Sequence, residues 1–192
     1  MNRAHWPKPW RDSLRAAWHG AGLLVLGLQL TACAQAPEVA AMVPRVAPSE
    51  APSALGIAIV RAVGGASTNP FMSPQVDNEG FRKALFQALT RSALFERVDF
   101  DNNGDYLLKP QILKQDVWPG LEMSATLKVR YQLRDSWSEK LLWEDTIESV
   151  YNAPLAEALY GLTRVRKAYE GAVRENLKTF LQHLAASPVM TR

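Results

Sequence analysis

The segment from Met123 to Arg134 has few ways to fold. Met123, Ala125, Leu127, Val129, Tyr131 and Leu133 alternate with Ser124, Thr126, Lys128, Arg130, Gln132 and Arg134. A period of two sends the first set to one face of a strand and the second to the other, so one face enters a core while the other meets water. Such a strand needs neighbours. A turn at Ser136 to Glu139 leads to a second strand, Lys140 to Tyr151, whose Glu144 and Glu148 share the wet face. Set against Lys128, Arg130 and Arg134, these carboxylates make a cross-strand charge ladder.

The remaining elements fall around this hairpin. Leu55 to Val63 is a nearly continuous apolar run and reads as a buried strand ended by Gly64-Gly65. A helix starting at Asp77 or Asn78 and running to about Ser92 carries Phe81, Ala84, Leu85, Ala88 and Leu89 on one stripe. Glu96 to Phe100 and Asp105 to Val117 read as strands on either side of the turn Asp101-Asn102-Asn103-Gly104, and Pro110 marks an edge or a bulge in the longer one. Trp118-Pro119-Gly120 makes the next turn. A last helix from Pro154 to about Leu184 carries a stripe from Leu155 through Leu162, Tyr169, Leu177 and Phe180. Gly161 and Gly171 mark close packing in it, and Glu170 belongs to its solvated, ion-paired face. The order β-α-β-β-β-β-α predicts an α+β, two-layer domain, with a mainly antiparallel sheet of about five strands and two helices on one face.

The N-terminus has a different character. Arg3, Lys8, Arg11 and Arg15 face a single acid, Asp12, before the uncharged run Ala21 to Ala32. Twelve residues make about 18 Å of helix, short of a ~30 Å hydrocarbon core. A basic stretch followed by a short apolar one is the pattern of a secretory signal peptide. The run ends in Leu30-Thr31-Ala32-Cys33, and Cys33 is the chain's single cysteine. This tetrad resembles the lipobox of bacterial lipoproteins. The resemblance implies cleavage between Ala32 and Cys33, a diacylglycerol on the Cys33 thiol and acylation of the new amine. It places the protein in a Gram-negative envelope, and Ala34, which is not Asp, favours sorting to the outer membrane. Two or three acyl chains anchor stably where one does not.

This predicts four regions: a signal peptide over 1–32, an acylated Cys33 with a Pro/Ala-rich tether over 33–54, a periplasmic domain over 55–186 and a tail over 187–192. Pro37, Pro44, Pro48 and Pro52 bar a continuous helix in the tether and favour extended backbone. The whole chain has 22 Lys+Arg against 19 Asp+Glu. Residues 1–32 take away four bases and one acid, leaving 18 against 18, so no basic surface argues for nucleic acid.

Residues that carry chemistry are scarce. Past residue 32 the only histidine is His183 and the only thiol is Cys33, so no nucleophile-histidine pair and no zinc ligand set is expected, and no catalytic residue or cofactor is assigned. Asp99 to Asp105 imitates the start of a calcium loop, but its twelfth position is Pro110 instead of a bidentate glutamate. The functional candidates are surfaces: Phe71 and Met72 in the loop 68–76, and Trp137 in a tight turn, as contacts for a partner.

Segments FRKALFQALTRSALFERV, DYLLKPQIL, KVRYQLRD with LLWEDTIESVY, and RKAYEGAVRENLKTFLQHL resemble small Gram-negative envelope lipoproteins and transport accessory domains. Among these are the N-terminal domain of the Tol-system propeller and the curli-secretion lipoproteins. The resemblance implies a non-catalytic accessory or assembly factor in envelope biogenesis or transport, held to the membrane through the lipid on Cys33 and binding envelope proteins. Two alternatives stand beside it: a lipid or glycan carrier with an apolar cleft between sheet and helices, and an enzyme using carboxylates such as Glu144 and Asp145.

Overall fold

The alternating segment forms the spine of the domain. In the computed structural model, which describes residues 34–69, 73–100, 103–158 and 160–190, it is strand β4 (Met123–Asp135), buried at every second residue. β4 lies between β3 (Tyr106–Trp118) and β5 (Leu141–Ala153), antiparallel to both. With β1 (Ser53–Ile59) and β2 (Phe95–Asp99) they make a sheet of order β2-β1-β3-β4-β5. Helix α1 (Val39–Met42) precedes β1, α2 (Asn78–Ser92) links β1 to β2, and α3 (Gly161–Ala185) follows β5 after a 3-10 turn at Leu155–Glu157. The α+β class and the succession of main elements are as expected.

The sheet is mixed, however: β1 runs parallel to both β2 and β3. The short connection 100–105 had argued for antiparallel neighbours, since parallel strands ordinarily need a long crossover. The stagger of the strands removes that need. Val98 of β2 and Tyr106 of β3 both pair with Ile57, so β2 ends level with the start of β3 and the chain has only to step across β1. Gly104 makes that step possible, because a Cβ there would lie 2.7 Å from the Ala58 amide nitrogen.

Pro110 lies inside the sheet instead of at its edge. Leu108 accepts from the Val60 amide and Ile112 donates to Val63, so the intervening Pro110 faces the same side, where β1 has already ended at Ile59. No ladder bond is lost. The bulge in this pairing falls between Ile112 and Lys114.

Helix α2 forms where expected. The Asp77 carboxylate accepts from the Gly80 amide at its N-terminus, and Ala93 closes it in a left-handed conformation. All five stripe residues of α2 are buried. Helix α3 starts later than Pro154, because β5 stays paired with β4 as far as Met123 opposite Ala153 and the chain must then climb back to the inner face. Both helices pack on that face: Tyr131 of β4 stacks on Phe180 of α3 at 4.2 Å and meets Phe81 of α2 at 6.4 Å. Gly171 is a close-packing glycine, as a Cβ would lie 2.2 Å from the Tyr151 ring, whereas Gly161 meets nothing within 4 Å.

A buried polar network fixes how α3 sits on the sheet. The Tyr131 hydroxyl donates to Asn176 Oδ1 at 2.7 Å, and Asn176 Nδ2 donates to the Ile147 carbonyl and to Ser149 Oγ. Ser149 Oγ donates in turn to the Ala172 carbonyl at 2.8 Å. Burial pushes the Tyr131 hydroxyl well above its ordinary pKa, with Asp145 adding to the effect, so it stays a neutral donor.

The segment expected to be a tether is packed instead. Met42 and Val43 are buried among core residues, the Glu38 amide donates to Glu170 Oε1 at 3.0 Å, and Arg174 donates to the Ala41 carbonyl at 2.9 Å. Its prolines block a long helix but leave apolar side chains free to bury. Glu170 is therefore not on a solvated face: it is covered by this segment and paired with Lys167 at 2.9 Å. Past α3, Val189 and Met190 of the expected tail also pack against the core.

Two predictions follow from these contacts. Tyr131→Phe leaves Asn176 Oδ1 buried without its donor, and should lower unfolding free energy by about 1–3 kcal/mol in a denaturant titration. Glu170→Ala removes the acceptor of the Glu38 amide, and limited trypsin digestion should then cut after Arg45 at a concentration that spares the parent protein.

Candidate functional site

β4 has two ends, and each presents exposed aromatic side chains. At the Asp135 end, the β4–β5 turn carries Trp137, which is 96% exposed. The turn is held from below: Asp135 Oδ1 accepts from the Trp137 amide at 3.1 Å, the Ser138 amide at 2.7 Å and Ser138 Oγ at 2.8 Å. The Ser138 bonds, chiefly, hold the Asp135 carboxyl below its ordinary pKa. Beside Trp137 lies a polar hollow of about 380 Å³ lined by Arg97, Asn103, Gly104, Asp105 and Ser136. Asp105 accepts from the Gly56 amide there, and Arg97 pairs with Asp99. The turn backbone is fixed by these bonds, and the indole stands exposed beside the polar groups of the hollow.

At the Met123 end, the β3–β4 turn exposes Trp118 (67%) and Leu121 (95%), and Tyr160 ahead of α3 is 75% exposed. Leu155, in the 3-10 turn that follows β5, is exposed as well. Arg164 of α3 donates to the Leu121 carbonyl at 3.2 Å, tying that turn to the start of the helix. The sequence reading singled out Trp137 but passed over Trp118 and Leu121, although a large aromatic beside Pro-Gly carries the same signal.

The other candidates are placed as follows. Ala32, Cys33, Phe71 and Met72 lie outside the described residues. Of the expected charge ladder one rung forms, Glu148 with Lys128 at 3.0 Å; Glu144 accepts from Gln132, Arg130 stands opposite Thr146, and Arg134 donates to the Glu139 carbonyl. Asp145 lies apart from both glutamates, 2.7 Å from His183 Nδ1 on α3. Each carboxylate thus has its own partner and the three do not converge. Among the described residues, no three His, Cys, Asp or Glu side chains group as metal ligands, and no helix is long and apolar enough to cross a membrane. The space between sheet and helices, where a carrier would need its cleft, is filled by Phe81, Tyr131, Phe180, Leu127 and Leu177.

No family model matches the chain and no curated protein matches it. Solved structures do. Protein XCC0632 of Xanthomonas campestris, of the DUF330 family, superposes with a TM-score of 0.56 at 13% identity, over 76% of this chain and 97% of that one. A minor lipoprotein of Acinetobacter baumannii gives 0.45 at 14% identity, over 68% and 92%. Lipoprotein GNA1162 of Neisseria meningitidis gives 0.42 at 13%, over 69% and 99%. The structural neighbours thus include lipoproteins of Gram-negative bacteria, and the likeness to XCC0632 establishes the fold.

The Asp135 bonds predict a pH response. Because its folded pKa is depressed, Asp135 contributes to the turn at neutral pH, and that contribution is lost as pH falls below the ordinary carboxylate value of 3.8. Hydrogen exchange at the Trp137 and Ser138 amides should quicken in acid beyond the intrinsic change, and Asp135→Ala should show the faster exchange already at neutral pH.

Proposed function

We propose that this chain is an outer-membrane lipoprotein of a Gram-negative envelope, acylated on Cys33 after cleavage behind Ala32. Its periplasmic domain acts as a non-catalytic accessory or assembly factor by binding envelope proteins. One observation carries the anchoring: the single cysteine stands where the apolar run stops, in Leu30-Thr31-Ala32-Cys33. The apolar segment is too short to span the bilayer and leaves with residues 1–32, so the acyl chains on Cys33 supply the stable attachment.

The contact role rests on Trp137. An exposed indole on a turn whose backbone is fixed by hydrogen bonds presents a large apolar surface, and binding there need not order the turn itself. The separate partners of Glu144, Asp145 and Glu148 speak for contact over carboxylate catalysis. The filled space between sheet and helices speaks against the carrier alternative.

Globomycin, which blocks lipoprotein signal cleavage, should leave the full-length precursor in cells, and Cys33→Ser should do the same without the drug. Normal processing under either condition refutes the anchoring. A photo-crosslinking residue at position 137 should yield adducts with envelope proteins in intact cells. If it yields none while the acylated protein is present, Trp137 is not the contact.

A further inference from the structure

We propose that the Met123 end of the domain, bearing Trp118, Leu121 and Tyr160, rests in the interfacial layer of the bilayer that holds the lipid anchor. The inference builds on acylation at Cys33 and adds the face that the domain turns to the membrane. Ala34 follows Cys33 directly, and its place in the fold is defined. Gln35 Oε1 accepts from Arg166 Nη1 at 2.8 Å, and one turn further along α3 the Glu38 amide bonds to Glu170. The chain therefore enters beside the first turns of α3 and then follows the helix towards Arg174. The start of α3 is also where Arg164 holds the β3–β4 turn and where Tyr160 stands exposed. The entry point and the apolar patch share one end of the domain.

The missing tether makes this placement consequential. Had residues 34–54 been extended, the domain could stand tens of ångströms from the membrane. With Gln35 already bound to Arg166, only Cys33 and Ala34 separate that contact from the acyl chains, a reach of about 7 Å along the backbone. An end held that close to a bilayer meets headgroups before it meets any protein. Trp and Tyr favour this layer, where the ring is half in apolar surroundings and the polar edge stays wet, and an almost wholly exposed Leu121 gains by leaving water. Glu122 and Glu157 lie at the same end, and Arg164 is engaged with the Leu121 carbonyl. The attraction is therefore apolar and requires no anionic lipid.

The test uses the mature protein purified from membranes with its anchor and reconstituted in vesicles of neutral phosphatidylcholine brominated along the acyl chains. Residues 33–192 contain three tryptophans: Trp118, Trp137 at the opposite end of β4, and Trp143, packed near Phe180. Bromine should quench the parent protein; Trp118→Phe should lose most of that quenching and Trp137→Phe should keep it. Intact mass of the same samples reports the acyl groups. An acylated protein whose quenching is absent, or unchanged by Trp118→Phe, overturns the docking and leaves the anchoring intact. A protein without acyl groups overturns both. Trp118 that is shielded from aqueous iodide yet unquenched by bromine is covered by protein, either a second copy or a partner, and the proposal fails.

Discussion

Tyr131 is the residue on which the rest of the arrangement depends. It sits in the middle of β4, stacks between helices α2 and α3, and sends its hydroxyl to Asn176 in a site without water access. A buried donor or acceptor left alone costs far more than a satisfied pair contributes, so a network of this kind tolerates one register and few others. Asn176 and Ser149 extend the bond across β5 and back to the Ala172 carbonyl. The height and the rotation of α3 are set together. From that setting follow the contact of Gly171 with Tyr151, the sideways aim of Glu170 and the positions of Arg164 and Arg166 at one end.

Glu170 shows how a single helix position changes meaning with its surroundings. In the helix alone it is one member of an exposed series of charges three and four apart. In the folded chain it lies beneath residues 38–42, receives a backbone amide and keeps a lysine beside it. That clamp holds the first described residues against α3. An attachment at Cys33 would then orient the whole domain where a long tether would leave it free, and the two aromatic ends of β4 would have different tasks, one towards the bilayer and one towards the periplasm.

The strands and helices were legible because their signals are local. Alternation in β4, the stripe of α2 and the Asp77 cap each depend on residues a few positions apart. Parallel pairing of β1 was not legible, because it depends on a stagger between strands and on a glycine close to Ala58. The packing of residues 34–48 was hidden as well: Pro37, Pro44 and Pro48 limit it to the short helix Val39–Met42 and say nothing about burial. Of the exposed aromatics, Trp137 is visible in the sequence as a large ring in a turn, and Trp118 carries the same local signal in Trp118-Pro119-Gly120.

By itself, the sequence determined that this chain has an α+β domain behind a short apolar segment that ends at its only cysteine, since periodicity and segment length are properties of neighbouring residues. It also determined that the basic excess belongs to residues 1–32. Only the tertiary structure decided that the sheet is mixed, that the three strand carboxylates are separately partnered, and that residues 35–41 run along α3 from Arg166 to Arg174. Those are relations between residues tens to more than a hundred positions apart. They exist only once core packing and the Tyr131–Asn176 bond have put α3 in its one place.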